Sequence, residues 1–230
     1  MEQTADVTDR FVDLSHVIID GMTTHPGIAP PVISTVMSYE ESAWRYAAGT
    51  AFEIRRIDMV ANTGTYLDTP AHRFPGGADL ADVALERVAD VPGVVVDCRA
   101  SGRDGGPRAI GADAFRDVEM AGRAVLVWTD WDRHWGTPTY LSDNPHLTAE
   151  AAALLVERGA ALVGIDSLNV DSLADPRRPA HTAILAAGIP LVEHLTGFGA
   201  LSAGPFRFFA VPPRVRGMGT FPVRAFAIVA

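Results

Sequence analysis

The sequence predicts a single α/β domain built on a mixed sheet, and three observations carry that expectation. Short apolar, β-branched runs at 94–98, 124–128 and 161–165 have the length and composition of buried strands. A capped helix separates the last two, with Thr148 before residues 149–158 and Gly159 after them. Strand, helix and strand from 124 to 165 read as a right-handed crossover, which requires parallel pairing. The C-terminal runs 206–211 and 221–229 are β-rich again. No repeat, low-complexity tract or linker interrupts the chain, so residues 1–230 read as one domain.

Composition narrows the function classes. The formal net charge of -9 argues against nucleic acid or an anionic membrane as partner, since both require basic patches. No apolar run reaches the length of a membrane span. Residues 1–6 are acidic and polar, unlike a secretory leader, so the expected location is the cytoplasm. Cys98 is the only cysteine, which excludes disulfides and cysteine-based zinc sites within one chain. All 19 basic residues are arginine, so Schiff-base chemistry and a P-loop, both of which need lysine, are removed.

In chain order, 11–19 reads as a strand whose lone histidine, His16, is expected to be structural. Residues 21–31 are rich in turn formers, and 32–60 alternate as two strands around a turn near 47–49. Residues 62–72, Asn-Thr-Gly-Thr-Tyr-Leu-Asp-Thr-Pro-Ala-His, combine a carboxylate, an imidazole and several hydroxyls. An extended backbone there sends Asn62, Tyr66 and Asp68 to one side, and Pro70 ends the pairing ahead of His72. Helical spacing is weak over 80–88 and short over 112–120, and 101–108 reads as a surface loop. Residues 129–135 form an aromatic, charged loop at a strand end. It reads equally as a pocket wall containing Trp131 and as a surface loop anchored by its tryptophans. Asp166 and Asp171 follow the next strand, where α/β proteins commonly bind ligands. Residues 181–187 read as a short helix, ended by Gly188 and followed by Ile189-Pro-Leu-Val-Glu193.

The chemical inventory thus holds Asp68 with His72, Asp166 with Asp171, and His181 with Glu193. Carboxylates and imidazoles of this kind hold divalent metals or move protons. Residues 62–72 resemble the His-x-Gly-Thr-His-x-Asp-x-Pro-x-His signature of the cyclase family, which includes bacterial kynurenine formamidases and isatin hydrolases. Asp13-Leu-Ser-His16, residues 131–135, 164–171, 188–193 and 222–228 resemble further family blocks, so the resemblance spans nearly the whole chain. It implies the family's swivelling β/β/α fold, a homodimer or homotetramer, and a small-molecule substrate.

Carried over residue by residue, the resemblance places metal ligands at Asp68, His181 and Glu193 and the proton-transfer histidine at His72. Asn62 and Tyr66 stand where the signature has its other two ligand histidines. An amide oxygen is a poor substitute for imidazole, and a phenol must lose a proton of pKa ~10 to bind a cation well. Ligand chemistry therefore ranks three expectations. The first is a metal-independent ring closure, dehydration or isomerisation of a small organic molecule. In it His72 and Asp68 act as an acid–base pair, Tyr66 and Asn62 donate to a substrate oxygen, and no cofactor is needed. Trp131, His181 and Glu193 are expected to contact the substrate. The second is hydrolysis of an amide, lactam or lactone with Zn²⁺ or Mn²⁺ at a residual Asp68/His181/Glu193 site. The third is a non-catalytic binding module, disfavoured because buried charges are costly to keep without a role.

Overall fold

The computed structural model describes residues 10–201 and 204–229, so the acidic segment 1–6 lies outside the described residues. The strands, in chain order, are β1 (Arg10–Asp13), β2 (Val32–Met37), β3 (Ile54–Asp58), β4 (Tyr66–Asp68), β5 (Val91–Asp97), β6 (Ala109–Ile110) and β7 (Ala124–Trp128). They continue with β8 (His146–Leu147), β9 (Leu162–Ile165), β10 (Leu191–Glu193), β11 (Phe206–Phe209), β12 (Thr220–Pro222) and β13 (Phe226–Val229). The helices are α1 (Tyr39–Ala43), α2 (Pro70–Arg73), α3 (Arg99–Gly102), α4 (Ala149–Glu157) and α5 (Pro179–Ala186).

Nine strands form one mixed sheet in the order β1-β13-β11-β5-β7-β9-β10-β4-β12. Its centre, β5-β7-β9-β10, is parallel, and both flanks are antiparallel. The crossover read from 124–165 is present: β7 pairs with β9 in parallel, and Thr148 caps α4 by accepting the Ala151 N–H at 3.2 Å. Alternate residues of β7 feed two cores, as a period of two requires. Val125 and Val127 pack with Ala151, Leu155 and Ile184 of α4 and α5. Leu126 packs on the opposite face with Leu67, Val192 and Phe208.

Several local expectations are corrected. Residues 80–88 form a turn and one 3₁₀ turn, Leu85–Arg87. The Asp79 carboxylate takes the Ala81 N–H at 2.9 Å and the Gly217 N–H at 2.6 Å, and such side-chain bonds compete with helix formation. Residues 112–120 shorten to a 3₁₀ turn, Ala112–Phe115. The segment 101–108 begins inside α3, and a Cβ on Gly102 would stand 1.9 Å from the Thr129 carbonyl oxygen. Of the predicted strand from 62 to 68, only β4 is regular, and Gly64 sits at φ +66° just before it.

The two strands expected in 32–60 pair antiparallel as β2 and β3, apart from the main sheet. Between them α1 is capped by the Ser38–Glu41 capping box, a Ser-x-x-Glu signal visible in the sequence and missed there. This hairpin exposes Val36, Trp44, Phe52, Ile54 and Ile57, Trp44 by 88%. Among the described residues, no helix is long and apolar enough to cross a membrane.

Candidate active site

Three adjacent strands, β10-β4-β12, lay out the site by register. Tyr66 lies opposite Glu193, and Asp68 lies opposite both Leu191 and Thr220. Opposed residues share a face, so the carboxylates, the phenol and the hydroxyl converge. Gly219 permits this arrangement, because a Cβ there would lie 2.3 Å from the His72 nitrogen. Pro70 occupies the first turn of α2, where its missing N–H costs nothing, and His72 follows on that turn.

Asp68 is fully buried, and the Thr220 hydroxyl donates to its Oδ1. The same Thr220 oxygen lies 2.8 Å from His72 Nδ1. Because the Thr220 proton points at Asp68, its oxygen accepts from Nδ1–H. Neutral His72 then carries its lone pair on Nε2, and the side chain is one-third exposed. His181 sits in the first turn of α5. Asp171 accepts from its Nδ1 at 2.7 Å and from the Ala180 and His181 amides at 2.7 and 3.0 Å. That grip leaves His181 Nε2 3.7 Å from Asp68 Oδ2 and 3.7 Å from Glu193 Oε1. Burial alone would lower the His181 pKa; the charges of Glu193 and Asp68 and the bond to Asp171 outweigh it and push the ring up to about 10. Asp68 Oδ2 is buried with no hydrogen-bond partner.

Tyr66 and Asn62, the two substituted positions, both line the cavity. The Tyr66 hydroxyl is already engaged, donating to Glu193 Oε2 at 2.7 Å. Burial and the charges of Glu193 and Asp68 hold its pKa well above 10, so it remains a phenol. Its oxygen lies 3.3 Å from His194 Nε2, and His194 Nδ1 lies 2.8 Å from the Tyr140 hydroxyl. One polarity satisfies the chain: Tyr140 donates to His194, His194 to Tyr66, and Tyr66 to Glu193. The role of donor to a substrate oxygen expected for Tyr66 is thus taken up by Glu193.

The cavity measures about 260 Å³, and its walls include Asn62, Tyr66, His72, His181 and Glu193 from the sequence reading. Trp131 is a correction: it is 1% exposed, packs on Tyr140 and Leu168, and does not line this cavity. Its Nε1–H donates to the Tyr140 carbonyl, which draws the ring into the core. Asp166 is also drawn away, because its carboxylate accepts from the Thr129 amide and hydroxyl and the Asp130 amide. Sequence reasoning missed Thr220, His194, Asn169, Arg178, Arg73 and His25. His194 was signalled only by following Glu193, and nothing local marks Thr220, which comes 152 residues after Asp68. Asp68, His72 and His181 each present one donor atom within 4.8 Å of the others, a geometry open to a metal ion.

Two measurements test this layout. Thr220→Val leaves the buried Asp68 Oδ1 without its donor, and a loss of about 1–3 kcal/mol is expected in urea unfolding. An unchanged midpoint would show that the hydroxyl is not holding Asp68. His16 stacks flat on Trp135 at 3.8 Å, its Nε2 is buried without a partner, and burial depresses its pKa from 6.5 to about 4. A lowered imidazole pKa favours the fold above the unfolded value and withdraws that support as pH falls from 6.5 toward 4. His16→Phe is therefore expected to flatten the fall in thermal midpoint across that window; a parallel profile would contradict it.

Comparison with known proteins agrees with the geometry. The cyclase family model matches residues 12–172. Kynurenine formamidase of Bacillus mycoides is 26% identical over 219 residues, covering 95% of this chain and 97% of that protein. The kynurenine formamidase of Geobacillus thermodenitrificans is 28% identical over 218 residues, covering 94% and 95%. Isatin hydrolase A from Ralstonia solanacearum superposes with a TM-score of 0.82 at 25% identity, covering 96% of this chain and 92% of that one. A structure described as a potential metal-dependent hydrolase with cyclase activity gives a TM-score of 0.78 at 22% identity, covering 96% and 98%, and shows the same fold. With its mixed sheet and the surviving signature from Gly64 to His72, this α/β chain is a member of the cyclase family.

Proposed function

We propose that this enzyme hydrolyses an amide, lactam or lactone of a small organic molecule, with a divalent cation held by Asp68, His181 and Glu193. One observation carries the reading. Asp68 Oδ2 is buried without a partner, 3.7 Å from the Nε2 of a histidine whose other nitrogen is gripped by Asp171. Buried carboxylate oxygens are generally hydrogen-bonded, and a carboxylate behind a histidine is the usual support of a metal ligand. The relatives named formamidase and isatin hydrolase are hydrolytic in name, which supports the same reading.

A cation bound there would polarise a carbonyl and acidify water. The chain supplies the rest. Asp171 fixes the tautomer of His181, and Val170 N–H with the Tyr66 hydroxyl fixes Glu193. Thr220 holds His72 through Nδ1, which leaves Nε2 of this cavity-lining residue as the base, able to take a proton from water and return it to the leaving group. Asn62 lines the wall as an uncharged hydrogen-bonding group.

A second reading, metal-independent ring closure, dehydration or isomerisation by His72 and Asp68, is favoured by His181 alone. As an imidazolium it neutralises part of the carboxylate cluster without a cation. Metal analysis separates the two. Protein loaded with Zn²⁺ or Mn²⁺ is expected to hydrolyse an aryl formamide, and Asp68→Asn or His181→Gln to lose both metal and at least 100-fold in turnover. His72→Ala is expected to keep the metal and lose turnover. Catalysis that survives full chelation would sink the hydrolytic reading.

The hairpin β2/β3 supports self-association as well. A two-stranded sheet is marginal alone, yet this one leaves both strands largely exposed with apolar side chains. Glu53, Arg55, Arg56 and Asp58 give its free edge mixed charge, complementary to a second copy of itself. Light scattering is expected to show a homodimer or homotetramer that Trp44→Glu with Ile57→Glu dissociates. A wild-type monomer would end that expectation.

A further inference from the structure

The floor of the cavity is acidic, and its rim is not. Asp68, Glu193 and Asp171 surround His181 at the base, while Arg73 and Arg178 line the upper wall. Arg178 directly precedes α5 and is partly buried, with its backbone in the left-handed region at φ +51°. Among the described residues a single neutral bond, Nη1 to Asn169 Oδ1 at 3.1 Å, holds its guanidinium. Asn169 is itself 7% exposed and fixed through the Asp171 amide, so the guanidinium rests on a rigid support.

No carboxylate is within ion-pair distance of Arg178 or Arg73 among the described residues. The acid nearest in sequence, Asp175, is committed to Arg177 by bonds of 2.9 and 2.8 Å. Arg73 gives its Nε–H to Thr182, next to His181, and its guanidinium lies 5.4 Å from the Phe74 ring centre; among the described residues neither terminal nitrogen makes a hydrogen bond. What sets Arg73 and Arg178 apart is that both line the cavity that holds His72, His181 and Glu193. Strained backbone and a partly buried guanidinium with no carboxylate in ion-pair contact, Asp175 acting on it only at longer range, both point to a ligand that completes the site. A guanidinium offers two parallel N–H donors, the geometry that a carboxylate accepts. At about 260 Å³ the cavity suits a single substituted ring.

We propose that the substrate carries a carboxylate remote from the scissile carbonyl, and that Arg178, assisted by Arg73, receives it. The inference rests on the hydrolytic reading of the same cavity. It also divides the cavity by charge: cation and proton transfer at the acidic floor, anion recognition at the rim.

The test compares 4-formamidobenzoate with formanilide, which differ by one carboxylate. Wild-type enzyme is expected to prefer the carboxylate probe. Arg178→Gln is expected to lower kcat/KM for it at least tenfold more than for formanilide, mainly through KM. Arg178→Lys, which keeps charge but not the fork, is expected to fall between. Absence of a wild-type preference, or equal losses on both probes, overturns the proposal. If neither probe is turned over, the hydrolytic reading fails separately, and calorimetric titration with sodium benzoate decides. A Kd raised at least tenfold in Arg178→Gln supports carboxylate recognition. An unchanged Kd, or inorganic phosphate binding where benzoate does not, overturns it. Arg73→Gln, on an exposed side chain, repeats the comparison if the first variant fails to fold.

Discussion

Asp68, Asp171 and Glu193 are each at most 1% exposed, and all three converge on one imidazole, His181. Burying a carboxylate costs several kcal/mol unless donors or opposite charge compensate it, so most of the local structure is compensation. Asp171 is relieved by two amides at the start of α5 and by the His181 ring. Glu193 is relieved by the Val170 amide and the Tyr66 hydroxyl, although burial still raises its pKa. Asp68 receives Thr220 on one oxygen and nothing on the other. That single unmet demand gives the site its polarity, because any cation or proton entering the cavity is drawn to it.

Tyrosine at position 66, where the signature that residues 62–72 resemble has histidine, is intelligible in the same terms. An imidazole there would present a lone pair to a cation, whereas the phenol presents a proton to Glu193. Tyr140 and His194 sustain that choice by supplying Tyr66 with a donor of its own. His194 is one of five non-glycine residues with positive φ among the described residues. Thr65 holds its carbonyl at 2.6 Å, so the strained backbone is restrained from outside. Residue 66 is better described as a structural link between two buried polar groups than as a lost ligand.

How much of this was legible in the sequence depends on range. The crossover from β7 through α4 to β9 could be read because apolar runs, an N-cap and a terminal glycine are local signals. The frame of residues 64–72 was equally plain. The helical expectation at 80–88 failed where the Asp79 carboxylate took backbone amides against weak spacing, and the one at 112–120 shortened to a single 3₁₀ turn. Trp131 was misplaced because an aromatic loop at a strand end looks alike whether it faces a cavity or the core. Thr220, Tyr140 and Arg178 gain their meaning only from contacts across the sheet or from a neighbouring loop, and no local pattern announces them.

The position of Thr220 on β12 bears on how the protein comes into being. Its hydroxyl reaches Asp68 across 152 residues, so β12 follows β4 at long range in the chain. On the ribosome, β4 and its carboxylate emerge long before the strand that covers them. Local pairings can form early, whereas a contact of this span waits for loop closure to be repaid. The candidate site is therefore completed only once β12 has been made, and a chain cut before β12 carries the acidic cluster without the group that orients Asp68.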